Sequence, residues 1–298
     1  MARSITIPTD DRLKPHLAAY ASIERSRRLT TLIGVALLAG ATVLAGWMGE
    51  VNLELFWSRI GEFGNYIGRL FFLSNGKAVI TDVYGGEDSW FWGFFYWLKK
   101  IGETLVIAYL GTVLGFIGGF LLCFFAAANL TPAPWMLFVT RRYLEFCRTV
   151  PEIVFALIFV VAFGLGPIPG VLAIGIHTTG ALGKLFSEVA ENIDMKPVEG
   201  LASTGGSWAE TMRFAAVPQV LSNFVSYTLL RFEINVRSAA IMGFVGAGGI
   251  GQDLIESIRK FYYSDVSAIL LLLVITVIII DMATERVRHS LISHEGRA

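Results

Sequence analysis

Long stretches of this chain carry no charge. Residues 29–49 form one, between Arg28 and Glu50, and residues 104–140 another, between Glu103 and Arg141. A hydrocarbon core of ~30 Å needs about 20 helical residues. The first stretch is therefore long enough to span once. In the second, Pro132 and Pro134 close the run and leave 104 to about 129 as a second span. A third run lies between Glu152 and Lys184, broken at Pro167-Ile168-Pro169. Each half is short for a span, so the pattern predicts a hairpin of two helices that extend past the charged borders at both ends. Arg213 and Arg231 enclose a fifth candidate, the least regular. Residues 266–280, between Asp265 and Asp281, form a sixth, prolonged backwards by Phe261, Tyr262 and Tyr263, aromatics that fit an interfacial belt. The first, second and sixth runs lack the polar stripe of a surface helix in a soluble protein. The expectation is an all-α, polytopic membrane protein with about six transmembrane helices.

Composition agrees and closes other classes. Apolar residues make up 54% of the 298 and charged ones 16%, with a mean hydropathy of +0.62; soluble domains carry about 25% charged residues. Disorder is excluded by the apolar content. No nucleic-acid partner is expected, because Lys+Arg 24 balances Asp+Glu 24. Two cysteines, Cys123 and Cys147, do not make a disulfide scaffold.

The distribution of charge orients the spans. Arg3, Arg12, Lys14, Arg25, Arg27 and Arg28 precede the first span, in a segment too long and too charged for a typical cleaved signal peptide. The positive-inside rule puts them in the cytoplasm. Six spans return Arg286, Arg288 and Arg297 to that side, with Arg141 and Arg142 in a cytoplasmic loop and the uncharged Pro167 turn outside. The expected layout is a cytoplasmic tail at 1–29, a first span with an aromatic-rich periplasmic segment at 30–100, a core at 101–288, and a cytoplasmic tail at 289–298. Within the external segment, Asp88-Ser-Trp-Phe-Trp-Gly-Phe-Phe-Tyr-Trp97 reads as a helix in the interface plane, either a headgroup anchor or a docking surface for an extracytoplasmic protein.

Catalytic chemistry is hard to find. His16, His177, His289 and His294 stand at no metal-ligand spacing. His177 falls in a span, where a polar residue is either a functional candidate or a helix–helix hydrogen bond. No Gly-x-Ser-x-Gly elbow and no P-loop occurs: Gly76-Lys77 is followed by Ala78, and Gly183-Lys184 by Leu185. Gly246-Ala-Gly248-Gly249-Ile-Gly251 matches the dinucleotide fingerprint, but the next apolar element is a membrane span rather than a second strand. It reads instead as broken backbone at membrane depth, which is tolerated only inside protein or beside a water-filled cavity.

Just before those glycines, Arg231-Phe-Glu233-Ile-Asn235-Val-Arg237 interrupts the apolar pattern. Each charge near the bilayer centre costs about 2.5–3.5 kcal/mol on insertion scales. On a helix, Glu233 and Arg237 are four apart and can pair. Arg231 has no acid at that spacing, which makes it a candidate for an anion-attracting position. Glu233, Asn235 and Arg237 with Gly246, Gly248, Gly249 and Gly251 complete the candidate pathway set.

Between the fourth and fifth spans, Glu199-Gly-Leu-Ala-Ser-Thr-Gly205 is followed, after nine residues, by Ala215-Ala-Val217-Pro218. This resembles the Glu-Ala-Ala-x3-Gly-x9-Ile-x-Leu-Pro loop of ABC importer permeases, with Gly200, Ala215 and Val217 in place of the alanine, isoleucine and leucine. The stretches 188–205 and 231–251, and Arg148-Thr-Val-Pro151-Glu152, look like phosphonate importer permeases in particular. The similarity covers about 101–288. It implies a type I ABC importer permease fold like that of methionine importers, with a coupling loop at 188–218 in which Glu199, Gly205, Ala215, Val217 and Pro218 meet the ATPase. It further implies a second permease copy or paralogue, two cytoplasmic ABC ATPase subunits that bind the ATP and Mg, and a periplasmic phosphonate-binding protein. The chain itself is expected to hold no cofactor and catalyse nothing, in a bacterial inner membrane with both termini cytoplasmic. Phosphite, phosphate, methionine and glycine betaine are the alternative cargoes.

Overall fold

The computed structural model describes residues 10–73, 76–84, 86 and 89–295, with side chains from 19 onward except 21–22 and 291–295. Arg3, Asp88 and Arg297, and the side chains of Arg12, Lys14, His16 and His294, lie outside that set. Two compact units appear, Met1–Asn65 and Tyr66–Ala298.

The first unit is built on α1 (Asp10–Met48). Its apolar part, Ile23–Met48, is long enough to cross a bilayer, and its leucines and valines are exposed on every side. Such a helix is soluble only in lipid. α2 (Leu53–Arg69) opens here and runs past the unit boundary, with none of its residues buried. Leu53, Phe56, Trp57, Ile60 and Ile67 fall on one face at helical spacing. The amphipathic helix between residues 51 and 100 is therefore this one. The expected interface helix at 88–97 does not form: residues 89–93 are turns, and Phe94 opens the next long helix. Trp90 and Trp92 are held instead against the last helix, their indole N–H groups donating to Ser267 (2.9 Å) and Asp265 (3.1 Å).

The second unit is a helical bundle around two long helices. α3 (Phe94–Ala126) starts ten residues before the expected span at 104, because Lys99, Lys100 and Glu103 are good helix formers and Lys100 pairs with Glu103. α4 (Pro134–Thr149) and α5 (Glu152–Phe163) meet at an 85° bend. Pro151 has no N–H to continue the ladder, and it forces Val150 into an extended conformation. The expected hairpin is thus half right. α6 (Pro167–Glu191) runs past Lys184, but α5 stops at Glu152 and its 12 residues reach only about 18 Å.

α7 (Met195–Ser203) and α8 (Trp208–Thr211) form the loop, and a π-turn at Met212–Ala216 leads into α9 (Val217–Met242). A break at 243–249 turns the chain by 48° into α10 (Ile250–Arg259), and α11 (Tyr263–Glu295) closes the bundle. Among the described residues, α1, α3 and α11 are long and apolar enough to span, and each bent pair adds one more, which gives up to five rather than six. α6 is less apolar than these, because it carries His177, Thr178, Thr179, Lys184, Ser187, Glu188 and Glu191.

Why α3 and α6 pack so closely is written in small residues. Gly111, Gly115 and Gly119 recur every fourth position on α3. A Cβ placed on Gly115 would lie 2.4 Å from Thr178 Cβ, so the two backbones touch only because it is absent. Bundles in lipid associate by such close packing, since burying apolar surface gains nothing against acyl chains. Phe186 and Phe224 stack at 4.0 Å and anchor α9 to the same seam.

Candidate functional site

The loop between α6 and α9 is a small folded unit rather than a flexible connection. Asp194 caps α7 by accepting from the Lys196 N–H (3.0 Å). Gly205, at φ +88°, ends that helix in a conformation that side chains disfavour. Ser207 and Glu210 then form a reciprocal capping box that starts α8. Those hydrogen bonds hold the Glu210 carboxyl below the ordinary glutamate range. Val198, Met212, Ala215 and Ala216 fill the interior against Phe124 and Leu130.

Three tethers fix this unit to the bundle. Trp208 donates its indole N–H to the Leu130 carbonyl (2.8 Å) and stacks on Phe125 at 4.9 Å. Gln219 accepts from the Asp194 N–H (3.1 Å) and donates to the Asp194 carbonyl (3.2 Å), locking α7 to the start of α9. Glu191 pairs with Arg141 and accepts from the Ala128 N–H (2.8 Å). What this leaves outward is Glu199, Gly200, Gly205 and Pro218, with Phe214 63% exposed beside them. Val217 is half-buried and Ala215 is buried, so Ala215 supports the knob from within. The motif pattern did not single out Phe214, Trp208 or Gln219. An aromatic residue in a polar loop was the available signal for Phe214 and Trp208.

The polar stretch of α9 separates into distinct environments. Asn235 is fully buried and donates to Thr112 of α3 (2.8 Å) and Thr178 of α6 (2.9 Å). Glu233 and Arg237 do not pair with one another. Arg237 reaches Asp281 on α11 (3.1 Å), and Glu233 accepts from the Thr284 hydroxyl, also on α11. A neighbouring helix offered partners that compete with the pair along α9.

Arg231 does have an acid, though not on its own helix. Glu152, the first residue of α5, approaches its guanidinium to 4.0 Å. The Arg231 and Glu152 side chains are 14% and 25% exposed, and Arg231 Nε and Glu152 Oε2 are buried without a hydrogen-bond partner. His177 of α6 stands within electrostatic reach of both charges, and its Nδ1 lies 3.3 Å from the Val150 carbonyl at the α4–α5 bend.

The glycine cluster builds the break after α9. Gly246, Gly248 and Gly249 all take positive φ. Glu103 and Thr104 of α3 accept from the Gly249 N–H (3.4 Å) and the Ile250 N–H (2.9 Å), satisfying donors that the break exposes. A Cβ on Gly251 would sit 1.9 Å from the Ala240 carbonyl oxygen, so α9 and α10 cross where only glycine fits. Gly248, Gly249 and Gly251 are buried and Gly246 half-buried. Among the described residues, pairing of extended backbone is limited to one isolated bridge between Phe72 and Ala78, and no strand precedes the glycines as a dinucleotide site requires.

Comparison with known proteins gives a consistent picture. Residues 119–291 match the family described as binding-protein-dependent transport system inner membrane component. The chain is 35% identical over 250 residues to the phosphite transport system permease protein PtxC of Stutzerimonas stutzeri, covering 83% of this chain and 84% of that one. It is 47% identical over 117 residues to PhnE2 of Escherichia coli, provisionally named as a permease of a cryptic phosphonate transport system, covering 39% of this chain and 96% of that one. Among solved structures, the inward-facing MetNI methionine ABC transporter superposes with a TM-score of 0.59 at 20% identity, over 66% of this chain and 97% of that one. At that identity the likeness speaks for the fold.

Proposed function

Since the chain belongs to the inner-membrane component family of binding-protein-dependent transport systems, and is a multi-pass permease subunit of an ABC importer, we propose that its cargo is a phosphonate or a related phosphorus oxyanion. Two copies, or one copy and a paralogue, form the pathway. Two cytoplasmic ATPase subunits bind the ATP and Mg²⁺, each gripping one knob formed by 188–218. A periplasmic binding protein delivers the cargo. Both termini lie in the cytoplasm.

The observation that carries the coupling role is the knob itself. Glu199, Gly205, Pro218 and Phe214 are outward on a unit tethered by Trp208, Gln219 and Glu191. A rigid lever transmits displacement, whereas a loose loop would absorb it. Closure of the ATPase dimer would push two such levers together and turn the pathway outward; hydrolysis would release them. The chain performs no covalent step in this scheme.

Gly205→Glu tests it. The substitution forces a side chain into φ +88° at the knob's turn. The expected result is loss of ATPase co-purification or of substrate-stimulated ATP hydrolysis. Intact stimulation would reject the coupling role. For cargo, uptake of labelled methylphosphonate, phosphite and methionine separates the candidates, and methionine uptake alone would reject the phosphorus class.

A further inference from the structure

Arg231 and Glu152 form an unusual pair. Two opposite charges lie half-sequestered in the bundle, yet they stop at 4.0 Å and leave Arg231 Nε and Glu152 Oε2 without hydrogen bonds. A pair kept only for stability is expected to close and satisfy these atoms, because breaking or stretching it in a poorly solvated place is costly. Nothing in the local chain prevents satisfied polar contacts. One turn further along α9, Asn235 bonds to both threonines that it faces.

The chemistry of the open guanidinium nitrogen indicates what completes it. A guanidinium is a planar fork that matches two oxygens of a phosphorus oxyanion, and such bidentate, charge-assisted bonds are among the strongest available to side chains. A carboxylate held at 4.0 Å is a weak substitute. His177, whose Nδ1 lies 3.3 Å from the Val150 carbonyl, is within electrostatic reach of both charges. Arg231 stands 14 residues past Val217, about 21 Å along α9 from the knob, and so well inside the bundle.

We propose that Arg231, Glu152 and His177 form an oxyanion exchange station, at which the cargo's phosphoryl oxygens displace Glu152 from Arg231 and Glu152 returns to expel them. The proposal rests on the phosphorus-oxyanion reading of the cargo and adds a resident competitor for the guanidinium. The exchange moves no covalent bond. Glu152 lowers affinity at the station and speeds release from it.

The test is uptake of methylphosphonate and phosphite in cells carrying the complete transporter and no other phosphorus importer, with permease abundance in the membrane measured alongside. Arg231→Gln should cut uptake of both anions at least tenfold at retained abundance. Glu152→Gln should lower KM and maximal rate together, each several-fold, because the competing anion is gone. The exchanged pair, Glu152→Arg with Arg231→Glu, should accumulate without restoring uptake. Recovery to within twofold in the exchanged pair would show an interchangeable structural ion pair and overturn the station. So would Glu152→Gln losing abundance with KM unmoved, which decides the matter if the exchanged pair does not accumulate. Wild-type cells taking up neither anion would overturn the cargo class itself, a result distinct from any variant's failure.

Discussion

Two polar groups of α9, one helical turn apart, are treated in opposite ways. Asn235 is sealed between α3 and α6, with both amide hydrogens given to threonine hydroxyls. Arg231 sits beside a carboxylate without bonding it. Both belong to the same interruption of an apolar pattern, and by residue type the charged one needs partners more. The satisfied group behaves as an adhesive between helices. The unsatisfied one is where binding free energy remains available to a ligand. In a bundle immersed in lipid, satisfaction of hydrogen bonds therefore separates structural from functional polarity better than charge or depth does.

The sharpest way to break this contrast is to remove the open pair entirely. Replacing Arg231 by Met and Glu152 by Leu should abolish phosphonate uptake, yet leave the detergent-solubilised permease as heat-resistant as before or more so, by up to about 4 kcal/mol. A lowered melting temperature would mean the pair was structural. Gly115→Leu attacks the seam that the sealed group spans. With Thr178 2.4 Å from the new Cβ, α3 and α6 must separate, and the expected loss is about 1–3 kcal/mol or more, read as reduced membrane abundance. Asn235→Ala should cost roughly 1–2 kcal/mol of thermal stability and leave KM for phosphonate unchanged, because its threonine partners lose interhelical bonds while the station stays intact. A changed KM would merge the two groups into one site. Arg237→Gln should have the smallest effect, within about 1 kcal/mol, since the Arg237 and Asp281 side chains are both partly exposed.

Much of this architecture was legible in one dimension. Lengths of uncharged runs placed α1, α3 and α11, because crossing a bilayer is a constraint on consecutive residues. The spacing from Glu199 to Pro218 located the loop, because a helix, a glycine turn and a second helix are local structures with local signals. The bends misled. The hairpin pattern predicts a helix that extends back past Glu152, whereas the chain bends at Pro151, between the end of α4 and the start of α5. The stretch 88–97 reads as an interface helix, although Trp90 and Trp92 have partners on α11 that no periodicity reveals.

The site divides along the same line. That Arg231, Glu233, Asn235 and Arg237 interrupt a span was plain from the sequence, as was the glycine run beyond them. Which group each one meets was decided by packing. Asn235 reaches threonines 123 and 57 positions away, and Arg237 an aspartate 44 away, in preference to Glu233 one turn along its own helix. The sequence alone determined that this chain lives in a membrane, where its charges are scarce, and where the folded loop between α6 and α9 lies, because solvent and local backbone geometry act on neighbours in the chain. Only the tertiary structure decided which of those scarce charges are spent on one another and which stay open, because hydrogen bonds are formed at about 3 Å and are indifferent to the distance along the chain.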